Sequence, residues 1–156
     1  MDKTIVVNER FFYNDDEKMN LDEMPTSGYI VNDPIFKDDN DQPIKSYNVC
    51  MKKDLGLNGT LFGGNLISWI DEFAYIAANV KTNFMNNFVT KSMGDFEFNI
   101  PVREGNIVEF NADNFVIGNT SISFDILVTT GQNVICETSV TFVAVDKDFK
   151  PTPILK

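Results

Sequence analysis

Residues 61–83 constrain the fold more than any other part of this chain, because they are spaced as a helix yet apolar on nearly every side. Leu66, Ile70, Phe73, Ala74, Ala77 and Ala78 share one wide face, while Ile67, Trp69 and Ile76 fall elsewhere on the same cylinder. Such a helix is normally wrapped by other structure, and the rest of the chain offers strands to do it. One strand is expected before the helix at 46–54, where Tyr47, Val49 and Met51 alternate. Four more follow at about 88–100, 106–117, 120–129 and 133–145, with Gly105, Gly118 and Gly131 as hairpin punctuation between them. Pro101 ends the first of these without having to donate to a ladder. The expected fold is α+β: an antiparallel sheet of about five strands curled around one long buried helix. At 156 residues the chain can build one such core and is too short for two ordinary domains.

The run Asn58-Gly59-Thr60-Leu61-Phe62-Gly63-Gly64 leads into this helix. Paired glycines let a backbone approach a ligand closely, and a helix start offers unpaired N–H groups at the positive end of the dipole. Together they can hold a developing oxyanion. Close helix–strand packing is the structural alternative for Gly63 and Gly64. Asp71 then places a carboxylate in the apolar middle of the helix, where it can act as acid, base or nucleophile. An exposed or salt-bridged aspartate is the ordinary alternative, but Trp69, Ile70, Phe73 and Ala74 around it argue against simple exposure.

The chain contains no histidine. That excludes Ser-His-Asp and Cys-His nucleophile systems, His-based acid–base pairs and His-ligated metals, leaving carboxylates, backbone dipoles, hydroxyls, amides and lysine. The net charge of −10 argues against a nucleic-acid partner. Residues 1–45 hold 11 acidic and 5 basic residues, so the remainder has only a slight negative excess and room for a local basic patch toward a small phosphorylated ligand. With its acidic runs and three prolines, this segment reads as an N-terminal extension, and residues 46–156 as the domain. No window of 18 apolar residues suggests a membrane span, and the first ten residues lack a signal-peptide pattern. Two cysteines, Cys50 and Cys136, fit a reducing compartment, so a cytoplasmic location is expected.

Read with the strand order, the motif resembles the hotdog-fold acyl-CoA thioesterases of the acyl-CoA hydrolase branch. Gly59, Phe62, Gly63, Gly64 and Asp71 all fall on that family's helix-start pattern. Gly118-Asn119-Thr120-Ser121 resembles its turn, and Thr141–Asp146 with Lys150-Pro151 resembles its closing strand and tail. The resemblance covers about residues 46–155. It departs at Gly56, where the family has an asparagine that helps orient the attacking water or the thioester. Asn58, two residues on, is the candidate to take that part.

The resemblance implies a homo-oligomeric hydrolase that cleaves a fatty acyl-CoA to free acid and coenzyme A, with no metal or redox cofactor. Gly63 and Gly64 would polarise the thioester carbonyl, and Asp71 would activate water or attack directly. Seven residues at about 1.5 Å each separate Gly64 from Asp71 by roughly 10 Å along the helix, too far for one thioester carbon to meet both. The site is therefore expected to be shared in a homodimer, and the family's common larger form is a trimer of dimers. Gly118, Asn119, Thr120 and Ser121 are candidates to contact coenzyme A, against a plain hairpin turn. Lys91 and Arg103 are candidates for its phosphates, against ordinary solvated cations. Phe96, Phe98, Phe110, Phe115 and Phe124 read more readily as core than as acyl pocket. The rival function is a catalytically weak acyl-CoA-binding module acting as sensor or partner, which Gly56 favours and the retained Asp71 disfavours. A hotdog dehydratase resembles a His-dependent pattern and does not fit.

Overall fold

The computed structural model describes residues 42–156, so the expected extension lies outside the described residues up to residue 41. The elements are β1 (Ile44–Val49), α1 (Gly63–Lys81), β2 (Phe88–Met93), β3 (Ile107–Ile117), β4 (Ser121–Thr130) and β5 (Asn133–Ala144). The five strands form one antiparallel sheet in the order β1-β3-β4-β5-β2, which makes β1 and β2 its edges. This is the hotdog arrangement expected from the sequence: a sheet curled over a single long helix.

The six residues expected on the wide face of α1 are all buried. They meet the inward positions of β3, β4 and β5, where Phe110 pairs with Val128 and Val128 with Cys136. The Phe73 and Phe110 rings lie 5.6 Å apart, tilted by 40°, in the centre of this contact. Each large side chain so buried contributes about 1.5–3 kcal/mol, and Ile70→Ala would cost about 2–5 kcal/mol because the packed neighbours relax only partly. The helix is not covered all round, however. Gly64, Ser68 and Glu72 form an exposed stripe within the single chain, and Tyr75, also exposed, sets its ring edge-on against Phe142 of β5.

Three elements differ in their bounds from the sequence expectation, each for a local reason. The first strand starts two residues early and stops at Val49, because the Asp54 carboxylate accepts the Met51 N–H at 2.9 Å and turns residues 52–54 into a 3-10 segment. The helix begins at Gly63 rather than 61, since the Leu61 N–H is taken by the Val102 carbonyl at 2.7 Å and Phe62 keeps an extended backbone. It ends at Lys81, where Asn83 and Phe84 adopt positive φ and the Phe84 N–H returns to the Asn79 carbonyl at 2.8 Å. The strand expected over 88–100 keeps regular pairing only to Met93. A bulge lies between Thr90 and Ser92, and beyond Met93 only Gly94 and Asn99, among the described residues, donate backbone N–H groups to β5.

Candidate active site

The segment before α1 closes on itself to present the helix start. Leu55 and Leu61 form an isolated antiparallel bridge, the Gly56 N–H donates to the Thr60 carbonyl at 2.8 Å, and Gly59 turns the chain at φ +75°. The Asp54 carbonyl anchors this loop by accepting both the Phe62 N–H at 3.0 Å and the Asn65 Nδ2–H at 3.0 Å. No side chain caps α1, so the N–H groups of Gly63 and Gly64, which have no intrahelical acceptor, remain available.

Gly63 lines a cleft of about 260 Å³ together with Leu61, Leu66, Phe98, Val102 and Ile135. A Cβ at Gly63 would lie 3.4 Å from Phe98 Cε2, so the glycine keeps the mouth of the cleft clear. Gly64 does not line the cleft; it faces solvent, and a Cβ there would come within 2.8 Å of the Phe62 ring. Asn58 is exposed, its Oδ1 accepting from Thr60 N at 3.3 Å and from Thr60 Oγ1 at 3.0 Å. That oxygen would lie 3.4 Å from a Cβ at Gly56, so the Asn58 amide sits where a side chain at 56 would begin.

Asp71 is half-buried two turns further along α1, and does not line the cleft. Its Oδ1 accepts the Thr90 hydroxyl at 2.8 Å. Register explains the contact: Ile122 pairs with Phe142 and Phe142 with Thr90, so Thr90 occupies the helix-facing row of the sheet at its edge strand β2. Thr90 was missed by sequence reasoning. The available signal was a hydroxyl at an inward position on the first strand after the helix. Among the described residues no other side chain bonds Asp71, leaving Oδ2 open.

The remaining candidates lie around these two points. Lys91 is exposed in the β2 bulge beside Thr90, whereas Arg103 follows Val102 near the helix start, so one chain does not bring the two cations together. The Gly118–Ser121 turn is closed by a Gly118 N–H to Ser121 carbonyl bond at 2.8 Å, and the carbonyls of Thr120 and Asn119 accept the N–H groups of Ala144 and Ile154. Pairing of Ser121 with Val143 and Val143 with Val89 puts this turn at the end of the sheet where β2 begins. A second depression of about 500 Å³ lies among Asp113, Asp125 and Glu137, and its carboxylates disfavour an anionic ligand there. Among the described residues no group of three or more His, Cys, Asp or Glu side chains could hold a metal ion, and no helix is long and apolar enough to cross a membrane.

The sequence model of the thioesterase superfamily matches residues 58–137, more than half of the chain and the whole run from Asn58 through β4. The chain belongs to the thioesterase superfamily. An uncharacterized acyl-CoA thioester hydrolase of Bacillus subtilis (strain 168) is 33% identical over 107 residues, covering 65% of this chain. The chain spans 61% of the length of that relative. Among solved structures, an acyl-CoA hydrolase from Bacillus cereus is 27% identical with a TM-score of 0.66, over 75% of this chain and 74% of its own. A hexameric thioesterase from Yersinia pestis is 29% identical with a TM-score of 0.64, over 70% of this chain and 93% of its own. The thioesterase fold thus agrees with the sheet and helix described above.

Proposed function

We propose that this thioesterase-superfamily chain hydrolyses acyl-CoA thioesters to free acid and coenzyme A, in sites assembled between two copies. One observation carries the reading. Helix α1 holds two chemically complementary halves apart: Gly63 at an apolar cleft, and Asp71 bonded to Thr90 at the edge strand β2. Along the helix they are about 12 Å apart, so a second copy has to supply the missing half. Because Thr90 places Asp71 at the β2 edge, pairing of this edge with a second copy completes the site. Leu57 and Phe62, exposed beside the helix start, are then apolar surface for that copy to cover. A trimer of such dimers is a hexamer, the assembly of the Yersinia pestis relative.

The chemistry follows from the two halves. The N–H groups of Gly63 and Gly64 donate to the thioester oxygen and stabilise the charge that develops on it. Oδ2 of Asp71 of the partner subunit accepts a proton from water while the water oxygen bonds to the carbonyl carbon. The tetrahedral intermediate collapses by breaking the C–S bond, releasing coenzyme A and the acid. Direct attack by the Asp71 carboxylate gives a mixed anhydride instead, and ¹⁸O label that enters Asp71 in a single turnover in labelled water, by attack of water at the aspartyl carbonyl, marks that route. Asn58 stands in for the amide absent at Gly56 and orients water. Lys91 and Arg103, from different copies, meet coenzyme A phosphates, and the Gly118, Asn119, Thr120 and Ser121 turn borders its pantetheine arm. No cofactor is needed, and two reduced thiols suit the cytoplasm.

Free-thiol release from acyl-CoA substrates, compared between the native protein and Asp71→Ala, tests this. Turnover that collapses in a folded, oligomeric mutant supports the reading. Acyl-CoA binding without turnover in the native protein would replace it with the binding-module reading.

A further inference from the structure

We infer that the cleft beside Gly63 is the acyl pocket and that it reads chain length only up to about eight carbons, without rejecting longer chains; this rests on the thioester reading above. Its walls are mostly apolar, with Thr60 and Asn99 as the polar members, and Leu61, Leu66, Val102 and Ile135, each no more than 9% exposed and part of the core, form its inner side. Phe98 is different. It is 45% exposed, stacks on Phe96 at 6.2 Å, and stands at the mouth with its ring edge over Gly63. Of the five phenylalanines expected in the core, Phe110 and Phe124 are buried there and Phe96 and Phe115 pack against it, so Phe98 alone is given to the cleft.

The cleft's position defines its occupant. A carbonyl oxygen at the uncapped Gly63 N–H leaves its alkyl chain beside these apolar walls, while the sulfur points away toward solvent and the coenzyme. The size follows from volume. At about 30 Å³ for a methylene-sized group, the share water has in the liquid, the cleft's 260 Å³ holds about eight carbons. Because the inner side is core, a longer chain cannot push deeper and its remaining carbons stay outside.

The test is kcat/KM for thiol release across an even-carbon series from acetyl- to palmitoyl-CoA below micellar concentrations, using the full chain. From four to eight carbons, each methylene is expected to raise kcat/KM about fourfold, then the series flattens. Phe98→Ala, a change at a half-exposed ring, moves the plateau outward by roughly three carbons, and Ile100→Phe moves it inward. A series that keeps climbing to palmitoyl, or one whose plateau ignores both variants, overturns the inference while leaving the hydrolase reading standing. No release from any thioester overturns the hydrolase reading and the inference with it.

Discussion

The Thr90–Asp71 bond is the contact on which the proposed chemistry depends most directly, and Thr90→Val probes it cleanly. Valine keeps the shape and β-branching of threonine, so the strand conformation is undisturbed and only the hydroxyl is lost. A hydrogen bond to a charged acceptor contributes about 1.5–3 kcal/mol. With about 1.4 kcal/mol per factor of ten, loss of carboxylate positioning lowers kcat about tenfold while the site stays wet, and toward a hundredfold where a partner subunit excludes water. Stability should barely respond. Thr90 is exposed, and a surface substitution of this kind changes folding free energy by no more than about 0.5 kcal/mol. The measurements are steady-state thiol release and thermal unfolding on the same preparations, with Thr90→Ser as the conservative control. The serine hydroxyl is expected to restore kcat to within a few-fold. A valine variant with native kcat would refute the claim that the hydroxyl positions the carboxylate. A valine variant that loses activity and several degrees of Tm together would show a structural effect instead.

Mixing equal amounts of two inactive variants, Asp71→Ala and a cleft-blocking Gly63→Val, should recover about a quarter of native activity after subunit exchange, since half the dimers then carry one intact site of two. Recovery near zero, with exchange verified by mass, would mean that each chain holds a complete site. Gly59→Ala meets no atom within 4 Å but holds a residue at φ +75°, so it should cost about 1–2 kcal/mol of conformational strain, read as a lower denaturation midpoint at unchanged m-value. Burial and the adjacent Glu137 push the Cys136 thiol up to about 11 from the usual 9.0, and burial with Asp54 and Glu104 raises Cys50. The unfolded chain therefore releases these protons first, and the stability contributed by Cys136 falls between about pH 9 and pH 11. Chemical denaturation at pH 8 and pH 10.5 checks this by comparing the native protein with Cys136→Ala. The native protein should lose more stability than the variant.

Much of the architecture was legible because it rests on periodicity. The face carrying Leu66, Ile70, Phe73, Ala74, Ala77 and Ala78 repeats at helical spacing, so its burial could be read before any coordinates. The two glycine-punctuated hairpins at Gly118 and Gly131 could be read the same way, within one residue at their strand ends, whereas Gly105 punctuates no hairpin because β2 pairs with β5 and not with β3. Errors arose where a hydrogen-bond partner outside the periodic pattern, a nearby side chain or a distant backbone carbonyl, decided the backbone. Asp54 capping Met51 ended β1 early, and Val102 taking the Leu61 N–H delayed the helix.

What the sequence determined by itself is the local grammar: a glycine-led helix start, a carboxylate two turns on, and strands enough to cover the helix. Those follow from interactions within a few residues. What tertiary structure alone decided is which parts meet. Thr90 reaches Asp71 only because β2 joins β5 in a register that aligns Thr90 with Phe142, a pairing across some fifty residues. Gly63 opens onto an apolar cleft and Gly64 does not, although the two are adjacent, because 100° of helical turn separates them. Phe98 leaves the core for the cleft mouth because the ladder of β2 ends at Met93 and frees the residues after it. Such long-range pairings depend on the packing of the whole sheet, which no short stretch of sequence encodes.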